Sequence, residues 1–222
     1  MKVTVAIPIV SFERVPLLSE TIRSLRAGVY KDIHIAIVVD ARPELYEVIK
    51  KKFATHDISV VLNKEHSYWV SSANRVWKEF DSDYYVYATD DITFPPACIA
   101  NAVLVMEQYF SDGFGLVNLF RRAKATFGLF GRKFAEHFPD CQALCPDFMQ
   151  YGADREITES ALELGVYKPY SISRENQVKH RLRIKDETWN LTNGVAHKDS
   201  EMLRERREKG YKWGIDFNLI RK

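Results

Sequence analysis

Two aspartates stand side by side at Asp90 and Asp91, at the end of the run "YYVYATDDITFPP". Neighbouring carboxylates repel one another unless water or a cation screens them. A divalent ion removes that penalty, and carboxylate oxygens suit hard or borderline ions such as Mg2+ and Mn2+, whose shells substrate phosphates commonly complete. The pair therefore points to an ion and a diphosphate ligand. Taken alone it has a plainer meaning, because Asp also ends strands and caps the segment that follows.

The elements needed to position such a pair are legible upstream of it. "KVTVAIPI", "DIHIAIVVD", "ISVVLN" and "DYYVYAT" have the composition of strands. Between them lie helical patterns: "VPLLSETIRSLRAG", with Leu17, Leu18, Ile22 and Leu25 on one face and Pro16 in the first turn, then "PELYEVIKKKF" and "SSANRVWKEF". This alternation predicts the α/β class, with a mostly parallel central sheet flanked by helices. It puts Asp90 and Asp91 at the carboxyl end of a strand, where open α/β sheets hold ligands. After Pro96 the pattern loosens to a helix in "ACIANAVLVMEQYF", strands in "FGLVNLF" and "ATFGLF", an amphipathic helix in "DREITESALELG" and a charged tail from Ser171. No repeat or linker interrupts it. One domain over residues 1–222 is expected, with an N-terminal nucleotide-type half to about residue 95 and a C-terminal half beyond.

A chain of 222 residues that is 46% hydrophobic can bury a sizeable core. Its 32 basic and 30 acidic side chains give a formal charge of +2, which demands no polyanionic partner. The N-terminal "MKVTVAIPIVSFERV" lacks the apolar region and cleavage site of a signal peptide, and no run reaches the roughly 20 apolar residues of a membrane helix. A cytoplasmic protein without a transmembrane segment is expected. Cys98, Cys141 and Cys145 make neither a disulfide framework nor a zinc set, and read as reduced packing residues.

Five stretches in order carry a family pattern. "IPIVSFERVPLLSETIRSL" has a strand ending near Pro8, then an aromatic residue and arginine around Glu13; "IVVDARPE" ends a strand on Asp40; "VVLNKEH" and "SSANRVW" supply Asn63, Asn74 and Arg75; "YATDDITF" supplies the acid pair. Together they resemble the GT-A fold glycosyltransferases, specifically the large, mainly inverting nucleotide-sugar transferase family of the cellulose, chitin and hyaluronan synthases. The resemblance implies that Pro8, Asp40, Asn63, Asn74, Arg75 and Asp90 serve the nucleotide, with Asp40 on the base, and that Asp91 binds Mn2+ or Mg2+. Departures from the pattern are Glu13 for the usual asparagine, no second acid and serine after Asp40, and no glycine shortly after Asn63.

The same resemblance implies a nucleotide-sugar donor, of the UDP-sugar type, and a base in "YGADREITESALELG". Asp154 occupies the aligned position, Ala153 replaces the first acid of the motif, and Glu156 two residues on is an alternative base. As plain structure, Asp154 is a helix cap. His197 in "NGVAHKDS", read as following a glycine turn and preceding a charged helix, is expected as a further metal ligand; His34, His56, His66, His137 and His180 have no such placement. Phe127 and Gly128 resemble a segment that approaches the donor, although Gly128 equally relieves a strand. Tyr68, Trp69 and Trp189 either stack on a sugar or fill the core. "KHRLRIK" covers the diphosphate, touches an anionic acceptor or forms a solvated face.

The implied activity is metal-dependent transfer of a sugar to an acceptor hydroxyl, with inversion. The acceptor, whether glycan, protein, lipid or modified nucleic acid, carries no readable motif. A second reading keeps the fold as a non-catalytic nucleotide- or glycan-binding module, on the strength of the altered acids near Asp40 and Asp154. A nucleotidyltransferase would want a glycine-rich loop after the first strand, and "IPIVSFERV" has no glycine.

Overall fold

The computed structural model describes residues 1–169, 172–181, 186–210 and 212–215. Its apolar, β-branched runs form strands and its amphipathic runs pack against them. β1 (Val3–Ile9), α1 (Val15–Arg26), β2 (Ile33–Asp40), α2 (Pro43–Phe53), β3 (Ile58–Asn63), α3 (Tyr68–Glu79) and β4 (Tyr84–Tyr87) make the βα half. β1, β2 and β4 are buried along most of their length, as strands covered on both faces must be. β5 (Ile92–Thr93), α4 (Cys98–Tyr109), β6 (Leu116–Asn118), β7 (Gly128–Gly131), α5 (Arg132–Glu136), α6 (Ala153–Glu163), β8 (Tyr167–Lys168), β9 (Lys179–His180) and α7 (Glu187–Glu208) follow.

The main sheet runs in the order β3-β2-β1-β4-β7-β6-β8. β3 through β4 are parallel, with Val3 opposite both Ile33 and Tyr84. β7 is antiparallel to β4 and β6, and β8 is parallel to β6. One face of the sheet packs on Leu18 and Ile22 of α1, Leu45 and Ile49 of α2, and Ile99 and Met106 of α4. The other packs on Val70, Val76 and Trp77 of α3, Phe134 of α5 and Ile157 of α6. A separate ribbon pairs β5 with β9, setting Ile92 opposite His180. Among the described residues no helix is long and apolar enough to cross a membrane.

Two local expectations are corrected, and Gly128 takes the second of its two expected parts. α3 starts at Tyr68, ahead of the serines read as its cap. Gly194, read as a turn, lies inside the 22-residue helix α7, whose N-cap is Asp186 accepting from the Trp189 N–H. Gly128 serves packing within the sheet, since a Cβ there would lie 2.6 Å from the Tyr87 hydroxyl and 2.9 Å from Leu116. Residues 182–185 of "KHRLRIK" fall outside the described residues.

Asn74 is a buried clamp on α3. Its amide donates to the Leu144 carbonyl at 2.7 Å and accepts from the Leu144 N–H at 3.1 Å. Removing it orphans two backbone groups, each worth about 1–3 kcal/mol when left unpaired. Asn74→Ala should therefore lower the unfolding free energy in urea by about 2–4 kcal/mol, with no change in the nucleotide affinity of the folded protein.

Candidate functional site

The carboxyl ends of β1, β2 and β4 open into a cleft of about 720 Å³. Pro8 lies there, with Asp40 from the end of β2 and Asp90 and Asp91 just past β4. His180 from β9 lies beside Asp91, and Asp154 from the first turn of α6 and Trp189 and Thr192 from α7 line the same cleft.

Asp90 and Asp91 are held by a residue that sequence reasoning left without a role. The Arg14 guanidinium donates through Nη1 to Asp90 at 3.1 Å and to Asp91 at 3.0 Å, and through Nε and Nη2 to Asp186. All four side chains are nearly closed off from solvent, so a single cation faces three buried carboxylates. Burial pushes the Asp90 carboxyl up, to about 7, against the pull of Arg14. Burial acts the same way on Asp91, but hydrogen bonds from His180 and Thr89, with the charges of His180 and Arg14, bring it down to about 2. Thr89 donates to Asp91 at 2.6 Å, and His180 Nε2 lies 3.3 Å from the same oxygen. Behind the pair, Thr21 donates to the carbonyls of Asp90 and Ile92, which fixes the turn.

Asp40 lines the cleft with its carboxylate fully engaged. Oδ1 accepts from Asn63 at 3.2 Å and the Ser67 N–H at 2.9 Å; Oδ2 accepts from the Tyr68 N–H at 3.0 Å and faces His66 Nδ1 at 2.6 Å. These contacts use its lone-pair positions. Asp40 thus caps the start of α3 from the neighbouring strand, and holds Tyr68 at a φ of 59° that a non-glycine residue adopts only under constraint. The groups this exposes to the cleft are His66 and Tyr68, whose rings lie 4.1 Å apart.

Asp154 and Glu156 part company. Asp154 faces the cleft and pairs with Lys124 Nζ at 2.7 Å. Glu156 points the other way, buried, where Arg206 grips both its oxygens and the Trp213 N–H donates to it at 2.7 Å. Nor is Asp154 the cap of α6: Gly152 holds that place at a φ of 95°, and a Cβ there would lie 2.8 Å from the Phe148 ring. The loop before α6 is tied down by Asp199 of α7, whose carboxylate accepts from the N–H groups of Met149, Gln150 and Tyr151.

Other expected site residues lie elsewhere. Asn63 links Asp40, Ser72 and Arg75, and Arg75 turns to the Leu62 carbonyl and Glu79. These two and Asn74 brace α3 against its surroundings and do not line the cleft. His197 is corrected for a physical reason: with Gly194 inside α7, it falls on the outer face of that helix, 81% exposed and beside Glu201 one turn on. The histidine that the fold brings to Asp91 is His180. Only the β5–β9 pairing places it there, and a two-residue strand leaves no periodic signal in a sequence.

Carboxylate and imidazole together suit Mn2+ or Mg2+. Among the described residues no three His, Cys, Asp or Glu side chains form a closed ion cage. Asp91 and His180, 3.3 Å apart, are two donors of that chemistry, which suits an ion whose shell is completed by phosphate oxygens and water. Such an ion would add to the counter-charge that Arg14 already gives these carboxylates, since Arg14 takes Asp91 Oδ2 while His180 faces Oδ1. Removing Arg14 strands three buried anions, so Arg14→Gln should cost about 3–5 kcal/mol in urea unfolding, with Arg14→Lys recovering only part because an ammonium lacks the fork. An unchanged midpoint would show that the network does not hold the site together.

Residues 6–161 match the model described as Glycosyl transferase family 2. No curated protein sequence matches. Among solved structures, the chain is similar to the mannosyltransferase PcManGT from Pyrobaculum calidifontis in complex with GDP-Man and Mn2+, with a TM-score of 0.66, 17% identity, and coverage of 91% of this chain and 64% of that one. It is similar also to S. aureus TarS 1-349 in complex with UDP-GlcNAc, with a TM-score of 0.63, 11% identity, and coverage of 85% and 61%. The chain spans under two thirds of the length of either. At such identities the likeness is one of fold, and it agrees with the parallel strands and the cleft at their carboxyl ends. With the family match running through β1, the acid pair and most of α6, the chain belongs to glycosyl transferase family 2 and has the GT-A fold.

Proposed function

We propose that the chain moves a sugar from a nucleoside-diphosphate sugar, of the UDP-sugar class, to an acceptor hydroxyl with inversion at the anomeric carbon. The observation that carries this reading is one cleft with two separate carboxylate stations: Asp90 and Asp91 at the strand ends, and Asp154 on α6. Inverting transfer needs those two stations to do different work. One meets the leaving group and the other takes a proton.

Asp154 receives the proton of the acceptor hydroxyl, with Lys124 fixing its carboxylate at the cleft wall. The acceptor oxygen forms a bond to the anomeric carbon on the face opposite the leaving group. As it forms, the bond from that carbon to the diphosphate oxygen breaks and the electron pair leaves with the diphosphate. Asp91 and His180, with Asp90 alongside, would hold Mn2+ or Mg2+, which when bound supplies positive charge against the departing diphosphate. Arg14 keeps the carboxylates in register whether or not an ion is present. The base of the nucleotide lies toward His66 and Tyr68, which Asp40 orders without touching the ligand.

Titration calorimetry with UDP, GDP and their sugar conjugates, in Mn2+ and in chelator, tests the donor half. Mn2+-dependent binding of UDP that Asp91→Ala abolishes is expected; no binding of any nucleotide would overturn the reading. His180→Ala should weaken that binding about 10- to 100-fold, and His197→Ala should leave it as it is. Asp154→Asn should keep donor affinity and lower kcat about 10²- to 10⁴-fold. An Asp154→Asn protein with full turnover would remove the base assignment.

A further inference from the structure

We infer that the acceptor is a phosphodiester-bearing chain, bound by Arg121 and Arg122 on the β6–β7 loop and by Arg174 and Lys179 across the cleft. The inference rests on the sugar-transfer reading and adds the acceptor's chemistry to it.

All four side chains line the cleft, and none has a carboxylate partner among the described residues. Most of the described arginines do pair with an acid, as Arg14, Arg42, Arg132, Arg181 and Arg206 do. The acids of the cleft have partners of their own: Asp90 and Asp91 share Arg14 with Asp186, Asp154 pairs with Lys124, and Asp40 accepts from backbone amides and faces His66. A divalent ion and a nucleotide sugar bring charges that largely cancel. The four cations still outnumber the carboxylates left uncompensated, Asp40 and the excess around Arg14, so a small positive surplus survives donor loading, and a concave low-dielectric wall concentrates it. The near-zero charge of the whole chain hides this local excess.

The loop carrying Arg121 and Arg122 is built to hold them still. Asn118, 1% exposed, donates to the Arg122 carbonyl at 2.6 Å and accepts from the Phe120 N–H at 2.9 Å. Tyr167 donates to the Ala123 carbonyl, Tyr87 to the Ala125 carbonyl at 2.6 Å, and Thr158 accepts from the Ala125 N–H at 3.1 Å. Buried polar side chains thus fix a loop whose arginines stay exposed. Ordering a loop this way opposes its conformational entropy, and it cuts the entropy a ligand must otherwise remove. The same loop carries Lys124, the partner of the base Asp154, so its two unpaired guanidiniums lie on the acceptor side. A guanidinium fork matches phosphate oxygens in two parallel hydrogen bonds.

Fluorescence anisotropy with dye-labelled eight-unit probes tests this: oligothymidylate, oligo(glycerol phosphate), oligogalacturonate and neutral maltooctaose, at 50 and 200 mM salt on the Mn2+-loaded protein. A phosphodiester probe should bind at least about tenfold tighter than the other two, and whichever phosphodiester binds tighter names the source. The double variant Arg121→Gln/Arg122→Gln should lose about tenfold in phosphodiester affinity, with a salt slope shallower by about one to two. Its thermal unfolding and its Mn2+-dependent UDP affinity should match wild type. Equal binding of oligogalacturonate would overturn the phosphate assignment, and no preference over maltooctaose would overturn the proposal. Parallel loss of UDP affinity in the variant would reassign the arginines to the donor. Phosphodiester binding by a protein that takes no nucleotide would sink the transferase reading and, with it, the acceptor role.

Discussion

One guanidinium against three buried carboxylates sets the terms for this site. Arg14 sits where the chain leaves β1 for α1, Asp90 and Asp91 where it leaves β4, and Asp186 where α7 begins. A buried ion network of this kind contributes little net stability, because desolvation offsets the Coulombic gain. What it contributes is placement. Any arrangement that separates the partners leaves a bare charge in a low dielectric, so the β1 turn, the β4 turn and the last helix are held to one mutual geometry.

The rest of the cleft follows from how α7 lies against that anchor. Asp186 caps the helix and holds Arg14, and Asp199 three turns on holds the loop that leads into α6. Through that loop the helix sets Asp154, and through Asp186 it sets the acid pair. The two carboxylate stations are therefore registered on one rigid rod, not on two loops that drift independently.

The sequence disclosed the scaffold because parallel strands and amphipathic helices leave periodic patterns, and the acid pair because its two charges stand at a strand end. The motif held both Asp154 and Glu156, and that only the first faces the cleft follows from Arg206 claiming the second, a contact 50 residues away. Asn63, Asn74 and Arg75 kept family positions yet brace α3, since a polar residue near a ligand and one that holds the ligand's wall look alike in one dimension. His180 was missed because a two-residue ribbon has no period, and His197 was misplaced because a lone glycine inside a charged helix reads as a turn. Arg14 was quoted within a motif and given no task; its partners are 76, 77 and 172 residues away.

That last separation bears on how the molecule is made. The parallel sheet needs only the first half of the chain, and domains fold largely from the N-terminus during synthesis. The charge balance of the site waits for Asp186, which closes the longest loop in the network. A nascent chain that has folded β1 through β4 holds its acid pair with Arg14 but without the third carboxylate and without α7 to fix Asp154. The cleft is therefore complete only once α7 is in place, because both of its carboxylate stations are tied to that helix.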